Sequence, residues 1–392
     1  MNVTLYSQIL QHLDRRILQK SVQKYQTDKY NKGINTWTHL ASMLFFHLAK
    51  ANSIREVVNG LLSIGGNLNH LGITRKMPRK SSLSYINEHR NWQVFRDFYF
   101  GMKEHLQSTG FLKRKLFKNI DRKIYLLDST IISLSLKVFD WAKYRTQKGA
   151  IKLHTMLDYD GLMPSYLFMT PAKQADVRHA HYMMMPPNSV IVADRAYEDF
   201  KMLYSWHKSD VHFVLRLKRS INYTRVEELE LPDDKEQNIL VDEIIELKEK
   251  QTKEKYPEPL RRISVYDQEN NRVIELITNN FTWTASVISD LYKQRWQIEI
   301  FFKELKNHLK IKSFIGTNEN AMMIQIWTAL IALMLLKFLK KLAKYGWAFS
   351  NLIAFLGMHL FTKVPLQKWL DKPFHPPDYY DEVKNQPLLF DF

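Results

Sequence analysis

Tyr292, Arg295, Glu299 and Lys306 lie in the stretch LYKQRWQIEIFFKELK, residues 291–306, at offsets of 0, 3, 7 and 14 from the first. That is the spacing at which a helix places its buried apolar seam. At about 100° per residue the four fall within a sector of roughly 60°. An arginine, a glutamate and a lysine therefore stand where leucines are expected. Ile298, Phe301, Phe302, Leu305 and Leu309 wall one flank of the stripe, and Trp296 and Ile300 the other. Lys293, Gln297, Glu304 and His308 form a separate wet face. Charge held between apolar walls must be paired or given a ligand. One account is an internal ion-pair network, Arg295 to Glu299 and Glu299 to Lys303, contributing about a few tenths of a kcal/mol per pair. The other is a reaction site.

A reaction site needs further acids. Asp128 in YLLDST and Asp194 in VIVADRAY each close a short apolar run that reads as a strand. In an open sheet, sites gather beyond the strand carboxyl ends, so the two would share a cleft if their strands are neighbours. An aspartate at a strand end is also an ordinary turn former or N-cap, and Asp121, Asp158 and Asp160 read that way. Three carboxylates from two strands and one helix suit hard divalent cations, which take oxygen ligands and bind phosphate oxygens too. Two such ions about 3.5–4 Å apart activate a water or a 3′-hydroxyl and stabilise the leaving oxygen of in-line phosphoryl transfer. Arg295 and Lys306 would then have partners in the phosphates beside the scissile bond.

The surrounding elements must bring these residues together. Residues 1–118 carry helical apolar spacing in THLASMLFFHLAKA and SIREVVNGLLSI, where Ser53 and Glu56 form a capping-box pattern. A basic polar helix from about residue 80 follows, preceded by ITRKMPRK with Arg75, Lys76, Arg79 and Lys80. This order resembles a helix-turn-helix whose last element enters a DNA groove; a solvated helix on an ordinary bundle has the same pattern. From residue 122 the period shortens. IYLL ends in Asp128, the Asp-Gly turn of LDYDGL joins two strands, DVRHAHYMMM and EDFKMLYSWHKSD read as helices, and NSVIVADRAY and HFVLRLK as strands. The expectation is an α/β core of mixed sheet. Residues 220–283 are acidic and β-rich, with a turn near Asn270 and Asn271, and read as an insertion. Apolar helices near 318–340 and 347–360 and a Pro-rich acidic tail close the chain.

Charge narrows the partner. Residues 1–120 hold 19 Lys+Arg against 6 Asp+Glu, and residues 211–290 hold 12 against 16, within a whole-chain charge of +17. A basic first domain points to a polyanion, because neutralised phosphates release counterions. With no cysteine, disulfides and thiolate zinc sites are excluded. The N-terminus lacks a signal-peptide pattern. AMMIQIWTALIALMLL, residues 321–336, is interrupted by Gln325 and Thr328 and falls short of the roughly 20 residues of a span. It reads as a core helix, with no membrane partner.

The motif of Tyr, two residues, Arg, three residues, Glu, six residues and Lys resembles the third-acid motif of the bacterial DDE transposases of the insertion-sequence-four family. The first and second acids of that family look like Asp128 in LDST and Asp194 in ADRAY, where Arg195 and Tyr197 follow. The resemblance spans nearly the whole chain and implies a ribonuclease-H-like catalytic domain, 119–345, interrupted by the β-rich insertion 220–283. It also implies an all-helical basic DNA-binding domain, 1–118, and a helical C-terminal segment, 346–392, suited to dimerisation. It further implies catalysis by Asp128, Asp194 and Glu299 with two Mg2+ ions, or Mn2+ in their place, cutting the strand and joining the 3′-hydroxyl to target DNA. Tyr292, Arg295 and Lys306 would hold phosphates, and Trp283 is the candidate for stacking a flipped base. Expected partners are the terminal inverted repeats and target DNA in a synaptic homodimer, with no small-molecule substrate, in the bacterial cytoplasm at the nucleoid. Release through a DNA hairpin is a variant of the same reaction. A nuclease or resolvase without strand transfer would use the same acids, and a silent DNA-binding relative would keep the fold. His154 in IKLH is either a substrate contact or a satisfied sheet residue.

Overall fold

Short polar side chains start the first helices by accepting their orphan N–H groups. Thr4 accepts from Ser7 at the head of α1 (Leu5–Gln11), Asp14 from Arg16 at α2 (Arg15–Tyr25), Asn35 from Thr38 at α3 (Thr36–Leu48) and Ser53 from Glu56 at α4 (Ile54–Leu62). The expected capping box is only half formed, because Glu56 turns its carboxylate to the Asn52 N–H, 2.8 Å away and one residue upstream of the cap. α5 (Lys80–His89) and α6 (Gln93–Ser108) follow. The chain then runs through β1 (Lys123–Leu134), β2 (Gly149–Asp158), β3 (Met163–Pro171), β4 (Ser189–Ala193), α7 (Phe200–Lys208) and β5 (Val211–Arg216). Next come β6 (Tyr223–Glu228), β7 (Ile239–Leu247), α8 (Lys250–Lys255), β8 (Leu260–Asp267) and β9 (Arg272–Thr278). Last are α9 (Ala285–Lys293), α10 (Trp296–His308), α11 (Glu319–Leu342), α12 (Phe349–His359) and α13 (Leu366–Asp371). This computed structural model describes residues 3–31, 33–63, 68–73, 79–112, 117, 119–134, 149–173, 176, 180–181, 183–231 and 238–374. Of the helix expected in DVRHAHYMMM, residues 177–179 and 182 lie outside them, as does the tail from residue 375.

The elements form two compact units, one of Met1–His105 with Glu304–Phe392 and the other of Leu106–Lys303. In the first, α11 packs against α3, α5, α12 and α13. From the sequence α11 belongs with the sheet; its packing partners are helices, because a helix apolar on every side must be covered all round. By length and composition it could cross a membrane, yet 89% of its most apolar window is buried in the protein. Its two polar interruptions are satisfied inside that core. Gln325 accepts the Ile315 N–H at 3.0 Å and donates to the carbonyls of Ser313 and Lys310, while the Thr328 hydroxyl lies 3.1 Å from His47 Nε2.

The second unit is built on one nine-stranded sheet in the order β3-β2-β1-β4-β5-β9-β8-β7-β6. β1, β4 and β5 run parallel and the other neighbours antiparallel. The β2–β3 hairpin turns at residues 159–162, where Gly161 takes a φ of +87°. Glycine adopts that left-handed conformation at no steric cost. The β8–β9 turn likewise places Asn271 at φ 47°, a conformation asparagine tolerates. The acidic, β-rich residues after 220 extend the same sheet through the β5–β9 pairing instead of forming a sheet of their own. One face of the sheet buries Tyr125, Leu127, Ile191, Ala193, Phe213 and Leu215 beneath α7. α9 packs against β4 and β5.

Candidate functional site

The site begins with strand register. β1 and β4 pair in parallel up to Leu127 opposite Ala193, and Asp128 and Asp194 are the next residue on each strand. β4 ends there, but β1 does not. The expectation that the strand stops at Asp128 is corrected, because the long antiparallel pairing with β2 carries β1 on to Leu134 and sets Asp128 opposite Thr155. Asp128 is thus mid-strand on its β2 side and beyond the end of pairing on its β4 side. Alternation along β1 puts Tyr125 and Leu127 into the core and turns Asp128 to the opposite face.

The stretch read as one helix is two. α9 stops at Lys293 and α10 starts at Trp296. Across the junction the amides of Arg295, Gln297 and Ile298 bond to carbonyls three residues back, those of Tyr292, Gln294 and Arg295, at 2.9–3.1 Å. A three-residue turn advances about 120° per residue instead of about 100°, so the heptad phase shifts here. Gln294 is held in the junction by the Tyr159 hydroxyl, 3.0 Å from its Oε1. Ile298, Phe301, Phe302, Leu305 and Leu309 are buried as expected. Trp296 is not the buried flank expected, since it is 57% exposed.

Around this junction the charged residues gather. Arg295 donates to Glu299 Oε1 at 2.8 Å and its other guanidinium arm lies 4.0 Å from Asp128 Oδ2. The Tyr292 hydroxyl is 3.4 Å from Asp194 Oδ1, and the Arg295 guanidinium sits 5.7 Å from the Tyr292 ring centre. The Ser129 N–H donates to Asp128 Oδ1 at 2.8 Å. Burial pushes the Asp128 carboxyl up to about 6; the Ser129 N–H and Arg295 oppose the shift, while Glu299 and Asp194 reinforce it. Burial alone would lower Arg295, but Tyr292, Glu299 and Asp194 outweigh it and raise its pKa. The ion pair foreseen between Arg295 and Glu299 is therefore present, and it is also part of a cluster with both aspartates.

The donor set is chemically suited to a hard divalent cation, being three carboxylates with no sulfur or imidazole. Asp128 feels the charge of both other acids and is costly to ionise without a cation beside it. Among the described residues no three His, Cys, Asp or Glu side chains are already drawn into a metal-holding group; Arg295 bridges Asp128 and Glu299 in this form. One buried donor of the cluster, Arg295 Nε, has no hydrogen-bond partner among the described residues. Beside it opens a cleft of about 510 Å³, lined by Tyr292, Arg295 and Trp296 and by the β8–β9 turn.

A family profile described as Transposase DDE domain matches residues 119–335, the segment that carries all three acids. The chain belongs to the DDE transposase family. A second profile, a domain of unknown function designated DUF4372, matches residues 1–74. The "Putative transposase y4zB" of Sinorhizobium fredii is 30% identical over 71% of this transposase and 76% of its own length. The "Putative transposase for insertion sequence element IS4SA" of Synechocystis is 28% identical over 74% and 80%. The "Probable transposase for insertion sequence element IS5377" of Geobacillus stearothermophilus is 27% identical over 62% and 64%. A solved piggyBac transposase synaptic complex with hairpin DNA covers 98% of the chain and 84% of its own at a TM-score of 0.41 and 10% identity, too slight a likeness to argue from.

The transposase places the remaining expected residues unevenly. Arg195 is exposed one residue after Asp194. Tyr197 is buried at 1% exposure in the core cluster, so in this form it cannot touch DNA; burial, reinforced by Asp128 and Asp176, holds its hydroxyl well above the usual range. Trp283 packs edge-on to His212, 5.3 Å away. His212 pairs with Val190 near the start of β4, whereas Asp194 follows its end, so Trp283 stands at the wrong end of the sheet to meet the acids. Lys306 lies further along α10, its pKa lowered by burial and by Lys312, and belongs to the other compact unit. Arg79 and Lys80 are exposed at the head of α5, and Arg75 and Lys76 lie outside the described residues. His154 is a satisfied sheet residue, buried, 2.9 Å from the Thr170 hydroxyl and stacked on Phe168. The sequence reading overlooked the Tyr159–Gln294 contact and the exposed Trp296. Both depend on the helix break, for which no proline or glycine gives a signal.

Proposed function

We propose that this DNA transposase uses Asp128, Asp194 and Glu299 as its catalytic carboxylates, within a ribonuclease-H-like core and the Tyr-Arg-Glu-Lys subclass of the insertion-sequence-four family. The observation that carries the reading is the register that sets Asp128 and Asp194 side by side, with Arg295 joining Asp128 to Glu299. The strand order 3-2-1-4-5, with an antiparallel hairpin flanking three parallel strands, supports the core assignment. Two Mg2+ ions, or Mn2+ in their place, held by these oxygens would supply activation of the attacking hydroxyl and charge stabilisation at the leaving oxygen.

The chain's own residues do the rest. Arg295 pairs with Glu299 and lies beside Asp128, and its Nε, unpartnered among the described residues, is a donor for a phosphate oxygen. Tyr292, against Asp194, holds that carboxylate and presents its ring at the cleft. In the first step water attacks the phosphorus at the element end and the 3′-oxygen leaves, taking a proton. In the second, that 3′-hydroxyl attacks a target phosphodiester and a second 3′-oxygen leaves. Attack on the opposite strand of the same duplex gives the hairpin variant. The basic helical residues 1–118, with Arg79 and Lys80 exposed, bind the terminal inverted repeats, and a homodimer pairs the two ends.

The test is incubation of the protein with labelled element ends, Mg2+ and a target plasmid. Joined products are expected. Nicks without joining would reduce the enzyme to a nuclease, and a mobility shift with intact strands would overturn catalysis.

A further inference from the structure

Asp128 and Ser129 are consecutive on β1 and therefore face opposite sides of the sheet. On Asp128's side lie Asp194, Arg295 and Glu299. On Ser129's side lies a second polar cluster that the reaction above does not use. The Ser129 hydroxyl donates to Asp176 Oδ1 at 2.5 Å, the length of a charge-assisted hydroxyl–carboxylate bond. Lys152 Nζ stands 3.2 Å from the same carboxylate oxygen and His154 Nδ1 3.6 Å. Lys152 and His154 are alternate residues of β2, with His154 directly opposite Ser129 and Lys152 opposite Ile131. His154 is fixed in turn by Thr170 and by its stack on Phe168, both from β3. All of these side chains are buried or half-buried.

We propose that Asp176 is a positioning residue for Asp128, acting through Ser129. Ser129 touches both clusters: its hydroxyl is held by Asp176 below the sheet, while its backbone N–H holds Asp128 Oδ1 at 2.8 Å above it. Fixing the side chain of Ser129 fixes the peptide plane whose N–H aims the Asp128 carboxylate. Asp128 otherwise sits beyond the β4 pairing, where no parallel neighbour constrains it. Lys152 pairs with the half-buried Asp176 carboxylate, and Thr170 and Phe168 hold His154 beside it. Outer partners of this kind orient metal-binding carboxylates, and their loss costs about 10–100-fold in metal affinity. The inference rests on the reading of Asp128 as a metal-binding catalytic carboxylate.

The experiment measures Mn2+ binding to the intact chain by calorimetry without DNA, beside the Mg2+ concentration giving half-maximal cleavage and the melting temperature. Ser129→Ala keeps the N–H and removes only the hydroxyl; Asp176→Ala removes its acceptor. Each is expected to weaken Mn2+ binding and raise the Mg2+ requirement about tenfold, and the double substitution to do no more than either alone, because the two act in one chain of contacts. Asp176→Asn, whose amide oxygen can still accept from Ser129, is expected to recover most of the loss. A purely structural role would lower the melting temperature and leave both metal midpoints at their wild-type values, which would overturn the proposal. If Asp176→Ala does not fold, Ser129→Ala decides. Asp128→Ala is the control: wild-type Mn2+ binding or cleavage in that variant would instead overturn the reading of Asp128 itself.

Discussion

Asp128 and Asp194 each follow by one residue the last paired residues, Leu127 and Ala193, of two adjacent parallel strands. Neighbouring strands lie about 4.8 Å apart, so the pairing itself presents two acids at one edge. Glu299 reaches the pair from a helix, through Arg295.

Replacing Asp128, Asp194 or Glu299 by alanine should therefore abolish strand cleavage while binding to element ends survives. Cleavage assays and mobility shifts on the same preparations check this. Residual cleavage near wild type in Glu299→Ala would remove that residue from the set.

Arg295 makes a short contact to Glu299 and a longer one to Asp128, and its buried Nε has no partner among the described residues. Lysine would keep the charge but not the fork. Arg295→Lys should lose roughly 10²–10³ in cleavage rate, the cost of removing one preorganised donor. Single-turnover kinetics at saturating Mg2+ make the comparison, and a variant cleaving at the wild-type rate would leave the guanidinium no special role.

The raised Asp128 pKa sets a pH dependence with a definite sign. In metal-free protein the folded state holds this proton up to about pH 6, against 3.8 for an ordinary aspartate carboxyl. The folded state binds more protons than the unfolded one between those values, so stability falls as pH rises through that window, by about 3 kcal/mol in all. Asp128→Asn, which cannot ionise, should melt higher than wild type at pH 8 and level with it near pH 4. Thermal melts in chelator at the two pH values test this, and an equal difference at both would refute the assigned cost.

His47 works in the opposite direction in the other unit. Burial pulls its pKa down to about 3, so the unfolded chain takes up a proton first as pH falls below 6.5. Stability is lost on acidification from that point, by up to roughly 5 kcal/mol. A melt series from pH 7 to pH 4 should show the loss, and His47→Gln should flatten it.

Arg79 and Lys80 are exposed at the head of α5. If both neutralise phosphates, replacing them with alanine should weaken DNA binding and reduce the salt slope of log K by roughly two. Binding measured across several salt concentrations gives the slope, and an unchanged value would move the DNA contact elsewhere.

Much of this was legible in the chain alone. Residue type and spacing named the three acids and Arg295, and apolar runs with Asp-Gly and Asn turns marked the hairpins, because these depend on neighbours within a few residues. The buried side of α10, Ile298 to Leu309, followed from its period. What local pattern could not decide was set by partners distant in the sequence. β1 continues past Asp128 because β2 pairs with it. The motif helix breaks at Gln294, where Tyr159 binds from 135 residues away. Tyr197 packs into the core cluster, and Trp283 follows β9, whose antiparallel pairing with β5 carries the chain to the far end of the sheet. Spacing along a chain determines which groups are available for chemistry. Only pairing and packing determine which of them meet, since each contact across the sheet is made by residues whose separation in sequence carries no periodic signal.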